Sequence, residues 1–264
     1  MVADRLFDVR GTRAVVTGAA SGLGFAMAEV LADAGARVTL ADIDAERLQR
    51  AAERLEGEVR TQRVDVADTA QVDALIDGAA AEYGGLDVVF ANAGISLEPG
   101  FTAPGGGLES IDDEQWRRVL DVDFDGVIAT MRAAARVMRP QRSGRIIVTA
   151  STAGLRTDPM VGYSYATAKA AVISATRQAA LELAPHGVLV NALAPGAIRT
   201  NIGGGVLPTP EIERMWADTI PLGRMGEPEE IKGLVLLLAS RASSYMTGAI
   251  LPVDGGALTR SHTL

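Results

Sequence analysis

The sequence predicts a doubly wound α/β fold: one parallel β-sheet with helices on both faces, three α/β/α layers in a single domain. Apolar runs of strand length recur along the chain, each followed by a longer segment with helical spacing. Hydrophobic residues make up 48% of the sequence and aromatics only 4%. That composition suits a core of Ala, Val, Leu and Ile, in which helices lie on strands buried from both sides. At 264 residues, the chain is long for one domain but within the reach of an α/β fold, and long enough for a large core.

Taken in order, strands are expected at residues 14–17, 38–41, 86–91, 145–150 and 188–193, with a weaker one at 60–64 and a short last one at 251–253. Helices are expected between them at 23–34, 45–55, 70–83, 113–138 and 165–184. This alternation implies right-handed crossovers and a parallel sheet. Two stretches break the rhythm. Residues 98–107 are rich in Gly and Pro, and residues 203–210 begin with Gly203, Gly204 and Gly205. Both read as mobile loops inside the domain. There is no internal repeat or low-complexity tract.

Composition also excludes several functions. A formal charge of -8 argues against nucleic acid as a partner, since phosphate binding needs a clustered basic surface. The absence of cysteine removes disulfides, thiolate catalysis and cysteine-ligated metals. His186 and His262 alone do not make a metal site. Residues 1–10 mix Asp4, Arg5, Asp8 and Arg10 among apolar neighbours, unlike a secretory signal, and there is no apolar run of membrane-spanning length. A cytoplasmic protein with no membrane partner is the expectation.

The turn after the first strand reads Thr17-Gly18-Ala19-Ala20-Ser21-Gly22-Leu23-Gly24. Gly18 allows a tight exit from the strand, Gly22 lets backbone approach a pyrophosphate, and Gly24 allows close packing of helix on strand. Such a turn, in a spacing other than the common G-x-G-x-x-G, either cradles the phosphates of a dinucleotide or simply ends a strand; its context favours the first. The second strand ends at Asp42, where a carboxylate can accept from adenosine ribose hydroxyls and would repel a 2′-phosphate. Ile43 and Asp44 follow, with no adjacent base to neutralise such a phosphate, so NAD is expected over NADP. The competing reading makes Asp42 a helix cap, a role Asp44 fills at least as well.

Tyr165 and Lys169 lie four apart in a helical segment, so they share a face. Only two of the 25 basic residues are lysines, which makes this placement a poor candidate for chance, although simple helix packing would also allow it. A free phenol, with a pKa near 10, is a weak base at neutral pH. An ammonium beside it, with an oxidised nicotinamide, would stabilise phenolate and lower that value. Ser151, ending the fifth strand, can orient a substrate oxygen near Tyr165, or simply cap the turn 151–154.

With these residues in hand, the sequence resembles the short-chain dehydrogenase/reductase family over nearly its whole length. The landmarks occur in order: the turn 17–24, Asp65-Val66, Asn92-Ala93-Gly94, Ser151, Tyr165 with Lys169, and Pro195-Gly196 followed by Ile198 and Thr200. The resemblance implies that Asp65 and Val66 contact adenine, that Asn92 and Gly94 lie along the cofactor, and that Lys169 also bonds the nicotinamide ribose. It implies that Ile198 and Thr200 hold the carboxamide, that residues 202–219 form a mobile substrate loop, and that the chain assembles as a homotetramer. Met160, Val161, Leu207, Met215 and Trp216 hint at an apolar substrate body, or pack the loop itself.

One position departs from the family pattern. Where the family commonly has an asparagine in a proton relay, this chain offers Asp123. A carboxylate about 7 Å from the phenol would oppose Lys169 by roughly 2 kcal/mol at an effective dielectric of about 20. Alternatively, only the backbone carbonyl there serves the relay. The Gly/Pro-rich stretch 98–107 also looks long for the family, either walling the pocket or reaching a neighbouring subunit.

The leading functional expectation is an NAD-dependent oxidoreductase interconverting a small-molecule secondary alcohol and a ketone. A reductase of 3-oxoacyl thioesters on a carrier protein is the alternative within enzymes, with Arg132, Arg136 and Arg139 as a docking surface. An NAD(H)-binding sensor with weakened catalysis is the alternative outside them.

Overall fold

The computed structural model describes residues 5–202 and 208–260. Met1 to Asp4 of the amino-terminal stretch, Leu207 and His262 lie outside the described residues. Each expected strand forms: β1 Arg13–Thr17, β2 Arg37–Asp42, β3 Val59–Arg63, β4 Val88–Ala91, β5 Gly144–Thr149, β6 Val188–Pro195 and β7 Ile250–Val253. They make one parallel sheet in the order β3-β2-β1-β4-β5-β6-β7.

The helices are α1 Gly22–Asp33, α2 Ala45–Ala52, α3 Thr69–Tyr83, α4 Asp113–Leu120, α5 Gly126–Gln141, α6 Tyr163–Leu183, α7 Pro210–Thr219 and α8 Lys232–Ala239. Their starts follow from short polar caps that satisfy otherwise unpaired N–H groups. Asp44 accepts from the Arg47 N–H at α2, Asp68 from Ala70 and Gln71 at α3, and Asp112 from Gln115 at α4. Gly84 ends α3 in the left-handed conformation.

Two apolar layers sandwich the sheet. Ala14 and Val16 point to the layer made with Met27 and Leu31 of α1, Leu48 of α2 and Val235 of α8. Val15 and Val89 point to the other, with Leu75 of α3, Ala133 of α5 and Val172 of α6. Strands covered on both sides explain why their sequences are continuous apolar runs rather than alternating ones.

Three expectations change. The helix expected at 113–138 is interrupted by a π-helical turn at Asp121–Asp125, between α4 and α5. Of the expected mobile loop 202–219, residues 210–219 form α7, whose cap Thr209 accepts from the Ile212 N–H; residues 203–207 lie outside the described residues. Helix α8 was not anticipated, because its run Leu234 to Leu238 is apolar on every face and shows no helical period.

The stretch 98–107 is folded onto the domain. Pro99 bridges Val161, the Thr102 hydroxyl donates to the Pro159 carbonyl at 3.1 Å, and the Glu98 carboxylate accepts from the Ser164 N–H and hydroxyl at 3.0 and 2.7 Å. It therefore backs residues 159–161 and places a negative charge at the start of α6, where the helix dipole favours it.

Candidate active site

The strand order reverses between β1 and β4, and a cleft opens at the carboxyl ends of the strands there. A polar seam braces the split. The Asn92 amide donates to the Thr17 carbonyl at 2.9 Å, the Thr17 hydroxyl accepts from the Asn92 N–H at 3.0 Å, and the Thr149 hydroxyl donates to the Asn92 amide oxygen at 2.9 Å. Asn92 thus lines the cleft while its side chain ties β1, β4 and β5 together.

The cleft encloses about 770 Å³. At one end it is lined by Gly18, Ser21, Gly22, Leu23 and Gly24 of the turn into α1, with Asp42 and Ile43 at the end of β2. A Cβ at Gly24 would fall 2.0 Å from the Gly18 carbonyl oxygen, so only glycine lets α1 start this close to its strand. Val66, Ala93, Gly94, Pro195, Ile198 and Thr200 line the middle. Asp65 does not: its carboxylate accepts the Ala67 N–H and faces Arg118 at 3.6 Å.

Asp42 accepts from the backbone N–H groups of Ala20 at 3.0 Å and Asp44 at 3.1 Å, one on each oxygen. Each oxygen keeps a further lone pair for a ligand hydroxyl. Capping of α2 falls to Asp44, as expected. Among the lining residues that the sequence did not single out is a base. Arg47, a turn into α2, also lines the cleft, but it is ion-paired with Asp44 at 3.3 Å.

At the other end Ser151, Tyr165 and Lys169 converge. The Ser151 hydroxyl accepts from the Ala153 N–H at 3.1 Å, capping the 3-10 turn Thr152–Gly154, and donates to the Pro195 carbonyl at 3.5 Å. The Lys169 ammonium lies 5.3 Å from the Tyr165 ring centre and donates to the Thr149 carbonyl at 3.1 Å. Behind it, fully buried and away from the cleft lining, is Asp123. Its Oδ2 stands 3.0 Å from Lys169 Nζ, an electrostatic pairing without hydrogen-bond angles, while Oδ1 accepts from the Ile95 N–H at 2.7 Å. A Cβ at Gly94 would come within 2.9 Å of Asp123 Oδ2 and 3.3 Å of Lys169 Nζ. The pair therefore needs glycine at that position.

The electrostatics differ from the simple expectation of a lowered phenol. Withdrawal from water pushes the Tyr165 phenol above its ordinary value; Lys169 pulls it down, and Asp123 pushes it up again. Burial likewise raises the Asp123 carboxyl, against the pull of Lys169. Burial alone would lower the Lys169 ammonium, but Asp123 and the phenol outweigh it and hold the group above its usual range.

Fold and cleft define a doubly wound α/β protein with its cleft at the switch point of the sheet. A family model described as enoyl-(acyl carrier protein) reductase matches residues 18–258. The cis-4-hydroxycyclohexanecarboxylate dehydrogenase of Sinomonas cyclohexanicum is 43% identical over 92% of this chain and 95% of its own. The galactitol 2-dehydrogenase of Agrobacterium fabrum is 37% identical over 92% and 96% respectively. Among solved structures, a short-chain type dehydrogenase/reductase from Mycobacterium marinum superposes with a TM-score of 0.91 at 40% identity, covering 98% of this chain and 100% of its own. The chain belongs to the short-chain dehydrogenase/reductase family. Dehydrogenases of this family use nicotinamide cofactors. The residues present fit such a dinucleotide: a glycine turn open to the cleft, a carboxylate with acceptor capacity at one end, and a phenol and ammonium at the other. Among the described residues, no helix is long and apolar enough to cross a membrane.

Proposed function

We propose that this protein is an NAD-dependent dehydrogenase interconverting a secondary alcohol and a ketone. The observation that carries this reading is the convergence of Ser151, Tyr165 and Lys169 at one end of a cleft whose other end presents Asp42. Bound NAD⁺ supplies the hydride acceptor. Ser151 and Tyr165 hold the alcohol oxygen between their hydroxyls, and the Tyr165 oxygen takes its proton as the carbonyl forms. In the reverse direction the phenol returns that proton to the developing alkoxide. Lys169 makes phenolate accessible by its charge. The preference for NAD rests on Asp42; Arg47, which also lines the cleft, is paired with Asp44.

The related cis-4-hydroxycyclohexanecarboxylate and galactitol dehydrogenases support an alcohol of small-molecule size as substrate. Of the arginines in the carrier-protein alternative, Arg136 is paired with Asp73 and Asp77 and Arg139 with Glu182, while Arg132 is exposed, so the docking argument rests on Arg132.

The test is initial-rate measurement with NAD⁺ and NADP⁺ across cyclic, aliphatic and polyol secondary alcohols, with Tyr165→Phe in parallel. NAD⁺-dependent turnover is expected, falling at least a hundredfold in the variant, the scale of general acid–base catalysis. A preference for NADP⁺ would refute the role given to Asp42, and binding of NADH without turnover of any alcohol would favour a sensor.

A further inference from the structure

Beside the main cleft lies a smaller cavity of about 70 Å³. The two share walls at Thr152, Asp158, Met160, Gly196, Ala197 and Trp216. A substrate held at Ser151 and Tyr165 that reached past these shared residues would meet the smaller one. The smaller cavity is also lined by Arg156.

The placement of Arg156 follows from the local backbone. Its N–H donates to the Thr152 carbonyl at 3.0 Å, so it stands one helical turn beyond the residue that follows Ser151. One guanidinium nitrogen donates to the Arg260 carbonyl at 2.7 Å, and among the described residues no carboxylate is ion-paired with it. Arg47 and Arg118, the arginines that line the main cleft, are each paired with an acid. A guanidinium carries five N–H donors in a planar fork, and one carbonyl contact leaves most of them for a ligand. That fork matches a carboxylate in bidentate fashion.

We infer that Arg156 anchors a carboxylate of the substrate, which makes the substrate class a hydroxy acid or oxo acid whose carboxylate lies across an apolar body from the reacting carbon. This rests on the reading of the site as an alcohol dehydrogenase. Met160 and Trp216 supply apolar wall between the two ends. Asp158 shares that wall, but one of its oxygens accepts from the Met160 N–H at 2.9 Å and holds a turn. An uncharged polyol bonded through Asp158 is the competing occupant.

The experiment compares wild type, Arg156→Gln, Arg156→Lys and Asp158→Asn on cis-4-hydroxycyclohexanecarboxylate, cyclohexanol and galactitol with NAD⁺. In parallel, the unreactive probe cyclohexanecarboxylate is titrated calorimetrically into the NADH-loaded protein, whose NADH binding reports an intact fold. Arg156→Gln is expected to raise KM for the hydroxy acid by roughly 10- to 100-fold, the range for a charge-assisted hydrogen bond, with kcat and the cyclohexanol rate little changed. Arg156→Lys should recover part of the loss. Affinity for the probe should fall by a similar factor in Arg156→Gln. Equal effects on acid and alcohol, or galactitol turnover that depends on Asp158 and not Arg156, would overturn the assignment. If no alcohol is oxidised but the probe binds through Arg156, the dehydrogenase reading fails and the anchor stands; a probe that wild type does not bind removes the anchor whatever the turnover.

Discussion

At the scale of single residues, the ammonium of Lys169 is divided between a phenol on its cleft side and a carboxylate behind it. The carboxylate of Asp123 weakens what Lys169 does for Tyr165. In Asp123→Asn, the pH at which kcat/KM for alcohol oxidation rises to its plateau is expected to move down by about one unit, equivalent to about 1.4 kcal/mol at the phenol. The same change leaves a buried ammonium without its counter-charge, at a cost of about 3–5 kcal/mol in stability, which thermal unfolding would register. An unmoved rising limb would assign the role at this position to the backbone alone. The types and spacing of Ser151, Tyr165 and Lys169 made these residues legible in the sequence. The close approach of Asp123 to Lys169 was not, because it requires a glycine on another segment, Gly94, to leave room for it. Arg47 escaped notice for a related reason: it is near Asp42 only because α2 turns it back to the cleft.

At the scale of elements, α7 leans over the cleft through Ile212 and Trp216 and is fastened by Arg199. Two guanidinium nitrogens of Arg199 donate to the Glu213 carboxylate at 2.6 and 3.1 Å, and a third pairs with Glu227. Half-exposed pairs of this kind contribute little to global stability, about 0–1 kcal/mol; their effect is local. Arg199→Ala is expected to raise KM severalfold while leaving Tm within a degree or two, with faster amide exchange across residues 210–219. A drop in Tm of many degrees would instead make Arg199 part of the structural core. The strands were legible because parallel strands buried on both faces leave continuous apolar runs. Helix α7 was hidden by its glycine- and proline-rich lead-in, and α8 by being apolar all round. The segment from α4 to α5 read as one helix because a π turn leaves the chain helical on both sides.

At the scale of the whole molecule, the cleft draws its walls from the segments that follow β1 to β6, so a ligand filling it joins both halves of the sheet. Binding to the native state alone raises stability by about 2.7 kcal/mol at a hundred times Kd. Saturating NAD⁺ is therefore expected to raise Tm by several degrees and NADP⁺ by less at equal concentration; the reverse order would contradict the role of Asp42. The turn Asp121–Asp125 has its consequence at this scale too. Its wider winding inserts one residue where a uniform helix would have none, offsetting the angular phase of everything before it from everything after by about 100°. Deleting one residue there would yield a smoother helix with better internal bonding and a misaligned molecule: with α5 seated in its layer, Val119 of α4 would rotate out of the core. The irregularity works as a phase shifter, and the protein's tolerance for insertions and deletions should reach a sharp minimum within those five residues.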